Sequence, residues 1–189
     1  MTAVHCKTAR VRLSFSQPEM RYDDYSRWLS AEHSKAMLEL HYDDVQAGPY
    51  LDCTIIPNKP PWQLNWAVKF SDGKFLRITE NWFRRRIHGS VAGVFGAREH
   101  FSFHYGPANP LCDADGLPIR SVAFPAIFRI DCDRHGPHLH YLGQDHIPQS
   151  RVKNFRILET DPFHFFRAVL SHRATGDGFD SIFGFQVTS

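Results

Sequence analysis

Hydrophobic and polar residues alternate most regularly over residues 62–70, where Trp62, Leu64, Trp66, Val68 and Phe70 are separated by Gln63, Asn65, Ala67 and Lys69. A period of two over this length predicts a half-buried strand. Ser71-Asp72-Gly73-Lys74 follows, with the Asp-Gly pair that favours a tight hairpin turn. The return strand is expected over residues 75–82, with Leu76, Ile78, Glu80 and Trp82 sharing one face. The same alternation predicts a third strand over residues 99–105, where Phe101, Phe103 and Tyr105 face one way and His100, Ser102 and His104 the other. Fourth and fifth strands are expected over residues 127–133 and 138–142, separated by the turn Arg134-His135-Gly136-Pro137.

Helical spacing frames this run of strands. Residues 21–40 contain few breakers and carry Tyr25, Trp28, Leu29, Met37, Leu38 and Leu40 at spacings that suit an amphipathic helix. Gly48-Pro49 and Pro57-Asn58-Lys59-Pro60-Pro61 read as punctuation after it, and residues 106–122 read as a long loop. Near the end, Asp161 suits an N-cap and Pro162 the first helical position, opening a helix with Phe163, Phe166, Val169 and Leu170 on its buried stripe and a stop by Gly176. The expected fold is a single α+β domain over residues 1–189, a mainly antiparallel sheet of about five strands flanked by an N-terminal and a C-terminal helix.

Composition narrows the functional classes. With 42% hydrophobic and 22% charged residues, the chain suits neither a disordered nor a coiled-coil class. A net charge of +2 is too weak a basic balance to signal nucleic acid globally, so any such site must be local. No apolar run approaches the roughly 18 residues of a membrane span, and the first residues lack a secretory apolar core, so a cytoplasmic protein without membrane contact is expected. Cys6, Cys53, Cys112 and Cys132 form no Cys-x-x-Cys pair, which argues against a zinc ribbon and for free thiols. The 12 histidines are the departure that directs the search for chemistry.

The densest segment is Arg129-Ile130-Asp131-Cys132-Asp133-Arg134-His135-Gly136-Pro137-His138-Leu139-His140. Alternation puts Arg129, Asp131 and Asp133 on one face of a strand and His138 and His140 on one face of the next. If those strands pair, a guanidinium, carboxylates and two imidazoles converge. That set suits acid/base cleavage of a phosphodiester, with imidazoles moving protons and arginine meeting the developing charge. The alternative is a metal centre, with zinc held by His138, His140 and His146. Arg84, Arg85, Arg86 and Arg98, interleaved with Trp82, Phe83 and Phe95, suit phosphate contact and base stacking on single-stranded RNA, or docking of an acidic protein. Glu80 shares its predicted face with apolar residues, a setting that raises a carboxyl pKa and suits proton transfer; pairing with Arg77 or Arg129 is the structural alternative. His104, on the polar face of the third strand, can reach the same surface as the other imidazoles.

Phe70-Ser71-Asp72-Gly73 through Glu80, then Phe101-Ser102-Phe103-His104-Tyr105, then Arg129-Ile130-Asp131 followed by Pro137-His138-Leu139-His140, stand in an order that resembles the TumE-like toxins of bacterial toxin–antitoxin pairs. The resemblance covers roughly the middle half of the chain, and Cys132 stands where that pattern has Asn. It implies a small cytosolic protein paired with a cognate antitoxin. It also matches Glu80, His104, Arg129, Asp131, His138 and His140 to the family's polar motif positions. The leading expectation is a toxin-like ribonuclease using metal-independent histidine chemistry. Its alternatives are a metal-binding enzyme with a His-x-His site and a non-catalytic interaction module.

Overall fold

The alternation over residues 62–82 folds into the hairpin it predicts, and the rest of the sheet is built outward from it. A computed structural model describes residues 19–56, 59–85, 95–107 and 126–189. In chain order the elements are β1 (Glu19–Arg21), α1 (Tyr22–Glu39), β2 (Val45–Ile56), β3 (Lys59–Phe70), β4 (Lys74–Arg85) and β5 (Phe95–Pro107). They continue with β6 (Phe128–Asp133), β7 (Gly136–Tyr141), β8 (Gln144–Pro148), β9 (Val152–Lys153), α2 (Pro162–Thr175), α3 (Phe179–Phe183) and β10 (Gln186–Val187). The main sheet runs β2-β3-β4-β5-β6-β7-β8, every pair antiparallel, with β1 added to the start of β5. The α+β class therefore holds, with seven strands in the main order rather than five.

The two additional strands, β2 and β8, are the sheet's edges. β2 contains Gly48-Pro49 and shifts register around it, as proline is tolerated on an edge. β8 opens with three exposed polar residues and so carries little alternation. Most of the predicted loop over residues 106–122 lies outside the described residues, which resume at Ala126.

One face of the sheet is the core. Leu64, Trp66, Val68 and Phe70 of β3, Leu76, Ile78 and Trp82 of β4, and Phe103 and Tyr105 of β5 are buried against the helices. Trp66 meets Phe166 of α2 edge-on at 5.1 Å and donates its indole N–H to His33 Nδ1 of α1 at 3.1 Å. Phe128 stacks on Phe179 of α3 at 4.4 Å. Arg173 of α2 fastens the helix to the sheet: it meets Asp44 at 2.6 Å and Asp72 at 2.9 Å and lies over the Phe70 ring. α2 begins as its sequence predicts, with Asp161 Oδ1 accepting from the His164 N–H at 2.7 Å, and ends at Gly176 with φ +79°.

Candidate functional site

The polar side chains gather on the sheet face opposite the helices. β6 and β7 pair with Arg129 opposite His140 and Asp131 opposite His138. β5 flanks β6 with His104 opposite Arg129 and Ser102 opposite Asp131. Directly opposed residues share a face, so the two strands bring the predicted guanidinium, carboxylate and imidazoles together. The turn between them is closed by the Asp133 carboxylate, which accepts from the His135 N–H at 2.8 Å.

Asp131 Oδ2 is the centre of the group. It lies 2.6 Å from Arg129 Nε, 3.2 Å from His140 Nε2 and 3.6 Å from His138 Nε2. Burial by itself would push the Asp131 carboxyl up, but the His140 imidazole close beside it, the Arg129 charge and the Ser102 contact outweigh it and hold the carboxyl below its ordinary range. The side chain is therefore ionised at neutral pH.

The two imidazoles are held differently. His138 is almost enclosed, with a side chain 5% exposed, and its Nδ1 lies 2.9 Å from the Gly136 carbonyl. A carbonyl only accepts, so Nδ1 carries a hydrogen, and Nε2 is the nitrogen turned toward Asp131. His140 is more open, at 19%, and its Nδ1 lies 3.4 Å from Oδ1 of the exposed Asp145. The rings of His138 and His140 are 5.1 Å apart, and the exposed His146 ring packs 4.2 Å from His138. Burial, then the neighbouring histidines, press the His146 pKa below its usual value.

His104 sits on the same face, stacked on Phe75 at 5.0 Å. Burial first, and then the Arg129 charge, push its pKa down to about 4, so it is neutral at physiological pH and unsuited to donate a proton there.

Glu80 and Arg98 lie elsewhere. Glu80 is on the core face as predicted, but its partner is neither Arg77 nor Arg129. Its Oε1 meets Arg98 Nη1 at 2.7 Å and its Oε2 accepts from the Trp82 indole at 3.1 Å. Arg98 is thus buried rather than part of a basic surface. The cause is a register shift: Asn81 pairs with His100 but Trp82 pairs with Arg98, leaving Glu99 as the extra residue of a bulge. One inserted residue reverses the facing, so Arg98 turns inward where strict alternation sends it out. Of the remaining basic run, Arg84 and Arg85 end β4, and Arg86 lies outside the described residues.

His146, expected as a third metal ligand, is replaced by Asp131 in the group whose donor atoms converge: Asp131, His138 and His140 lie within 4.8 Å of one another. Asp145 was not anticipated. Its signal was Leu142-Gly143, which closes a hairpin with Tyr141 opposite Gln144 and so returns Asp145 beside His140. Cys132 is a free, half-buried thiol whose pKa burial raises; Cys6 and Cys112 lie outside the described residues. Among the described residues no helix is long and apolar enough to cross a membrane. Comparison with protein-family models, curated proteins and solved structures finds no match to this chain.

Proposed function

We propose that this protein cleaves RNA by histidine acid/base chemistry at the Arg129–Asp131–His140 group, as a toxin-like ribonuclease whose cognate antitoxin restrains it. The observation that carries the reading is His140, which has one ring nitrogen 3.2 Å from the buried Asp131 carboxylate and the other on the exposed Asp145 side. A carboxylate that fixes one imidazole nitrogen leaves the other as a base, the logic of an oriented histidine dyad.

In this reading His140 Nε2 donates to Asp131, and Nδ1 takes the proton of a ribose 2′-hydroxyl. The freed oxygen attacks phosphorus, the bond to the 5′-oxygen breaks, and that oxygen takes a proton from solvent water. The products are a 2′,3′-cyclic phosphate and a 5′-hydroxyl, and protonated His140 then returns its proton to solvent. Arg129 meets the phosphate charge: its side chain is 26% exposed, and its Nη groups have no hydrogen-bond partner among the described residues. His138 acts by positioning, since it is enclosed behind Asp131. His104 and Glu80 have no proton-transfer role here.

The test is cleavage of a defined single-stranded RNA by purified protein in excess EDTA, reading the ends formed. Wild type yields cyclic-phosphate ends, while folded His140→Gln and Arg129→Ala lose at least about 100-fold in rate. Absence of cleavage by wild type, or full activity in His140→Gln, overturns the reading.

A further inference from the structure

We infer that Asp131, His138 and His140 form a site for a zinc-class transition-metal ion, and that occupancy of this site switches the proposed ribonuclease off. The site stands on geometry independent of the RNA reading; the switching rests on that reading.

The argument begins with His138. Its Nδ1–H is committed to the Gly136 carbonyl at 2.9 Å, so the nitrogen left to face Asp131 Oδ2, 3.6 Å away, is Nε2, which offers a lone pair whenever it carries no hydrogen. Lone pair facing carboxylate oxygen is repulsive unless a proton or cation lies between them. His140 offers the same arrangement when its Nδ1–H points to Asp145, 3.4 Å away, because its Nε2 then also faces Oδ2, at 3.2 Å. Two imidazoles whose outer nitrogens donate to a carbonyl and a carboxylate, while their inner nitrogens meet a third donor, have the supporting hydrogen bonds typical of metal-bound histidine. Two nitrogens and one oxygen select zinc and its neighbours over magnesium or calcium, and three protein ligands leave a position for water.

Arg129 is the competing cation, 2.6 Å from the same oxygen. Its partial exposure lets it withdraw, and its charge weakens the site. Removing that charge therefore tightens metal binding.

The switching follows from tautomers. Acid/base chemistry needs His140 with hydrogen on Nε2 and a free Nδ1; metal ligation needs the reverse. A bound ion takes the Nε2 lone pair, moves the hydrogen to Nδ1 and removes the base.

The experiment titrates zinc chloride into chelator-stripped protein, following competition with a chromophoric chelator, and assays RNA cleavage across the same titration. Wild type should take one ion per chain. His140→Gln and Asp131→Asn should bind more than about 10-fold more weakly, and Asp145→Ala, which alters only an exposed residue, about 10-fold more weakly. Arg129→Gln should bind more tightly than wild type. Cleavage should fall in proportion to occupancy.

No binding above background, or unchanged binding in both His140→Gln and Asp145→Ala, overturns the site and leaves the cleavage reading intact. Binding with unchanged cleavage overturns the switch. Binding with zinc-stimulated cleavage overturns both the switch and the metal-independent reading while upholding the site.

Discussion

Glu80 and Arg98 form an ion pair at 2.7 Å with both side chains sealed from solvent, on the face of the sheet opposite the histidines. Arg98 also donates to the carbonyls of Leu158 and Thr160, so the pair ties the sheet to the segment that leads into α2. Removing one member strands the other charge in the core, at a cost of about 3–5 kcal/mol. Urea unfolding of Glu80→Ala should register that loss, whereas Glu80→Leu/Arg98→Met should cost less than the two single changes added together. At temperatures where Glu80→Ala remains folded, its RNA cleavage should equal wild type. A stable but inactive Glu80→Ala would give this carboxylate a part in the proposed chemistry.

His104 makes stability depend on pH with a definite sign. Its ordinary pKa of 6.5 falls to about 4 in the fold, chiefly through burial. Between these values the unfolded chain holds a proton that the folded chain does not. Stability present above pH 6.5 is therefore lost as pH falls toward 4, by roughly 3 kcal/mol in all. Thermal melts in EDTA should show this decline, and His104→Gln should flatten it whatever its melting temperature at neutral pH. An unchanged slope in His104→Gln would assign the decline to other groups.

Both ends of α2 offer a direct check on local signals. Asp161→Ala removes the acceptor of the His164 N–H and should cost about 1 kcal/mol. Gly176→Ala places a side chain at φ +79° and should cost about 1 kcal/mol as well. Denaturant midpoints measure both, and a neutral result at either position would detach the helix boundary from its cap.

These elements mark what was legible in the sequence. Strong alternation located β3 through β7, and cap chemistry located α2 at Pro162, because both signals are local and tertiary packing agrees with them. β2 and β8 escaped because edge strands bury only part of one face and tolerate proline and polar residues. In the site, Arg129, Asp131, His138 and His140 were foreseeable from alternation plus one strand pairing. Arg98 was not, since a single bulge residue at Glu99 reverses its side while leaving the sequence pattern unremarkable. Asp145 depends on a second hairpin and a register that only the folded β7–β8 pair defines.

His138 and His140 stand two residues apart on one strand face, yet they should respond differently to removal. The His138 side chain is 5% exposed, bonded to Gly136 and packed against both His140 and His146. His138→Ala therefore opens a void beside a buried carboxylate and should cost roughly 2–3 kcal/mol. His140 is 19% exposed with one nitrogen toward solvent, so His140→Ala should stay within about 1 kcal/mol of wild type. Cleavage should show the opposite weighting. Under the proposed mechanism, His140→Ala removes the base and should lose at least about 100-fold in rate. His138→Ala, assayed below its melting transition, retains His140 and should keep measurable activity with an altered pH profile, because Asp131 has lost one of its neighbours. Paired denaturation and rate measurements separate the two roles. Equal losses of stability and rate in both variants would mean that the imidazoles serve the fold alone.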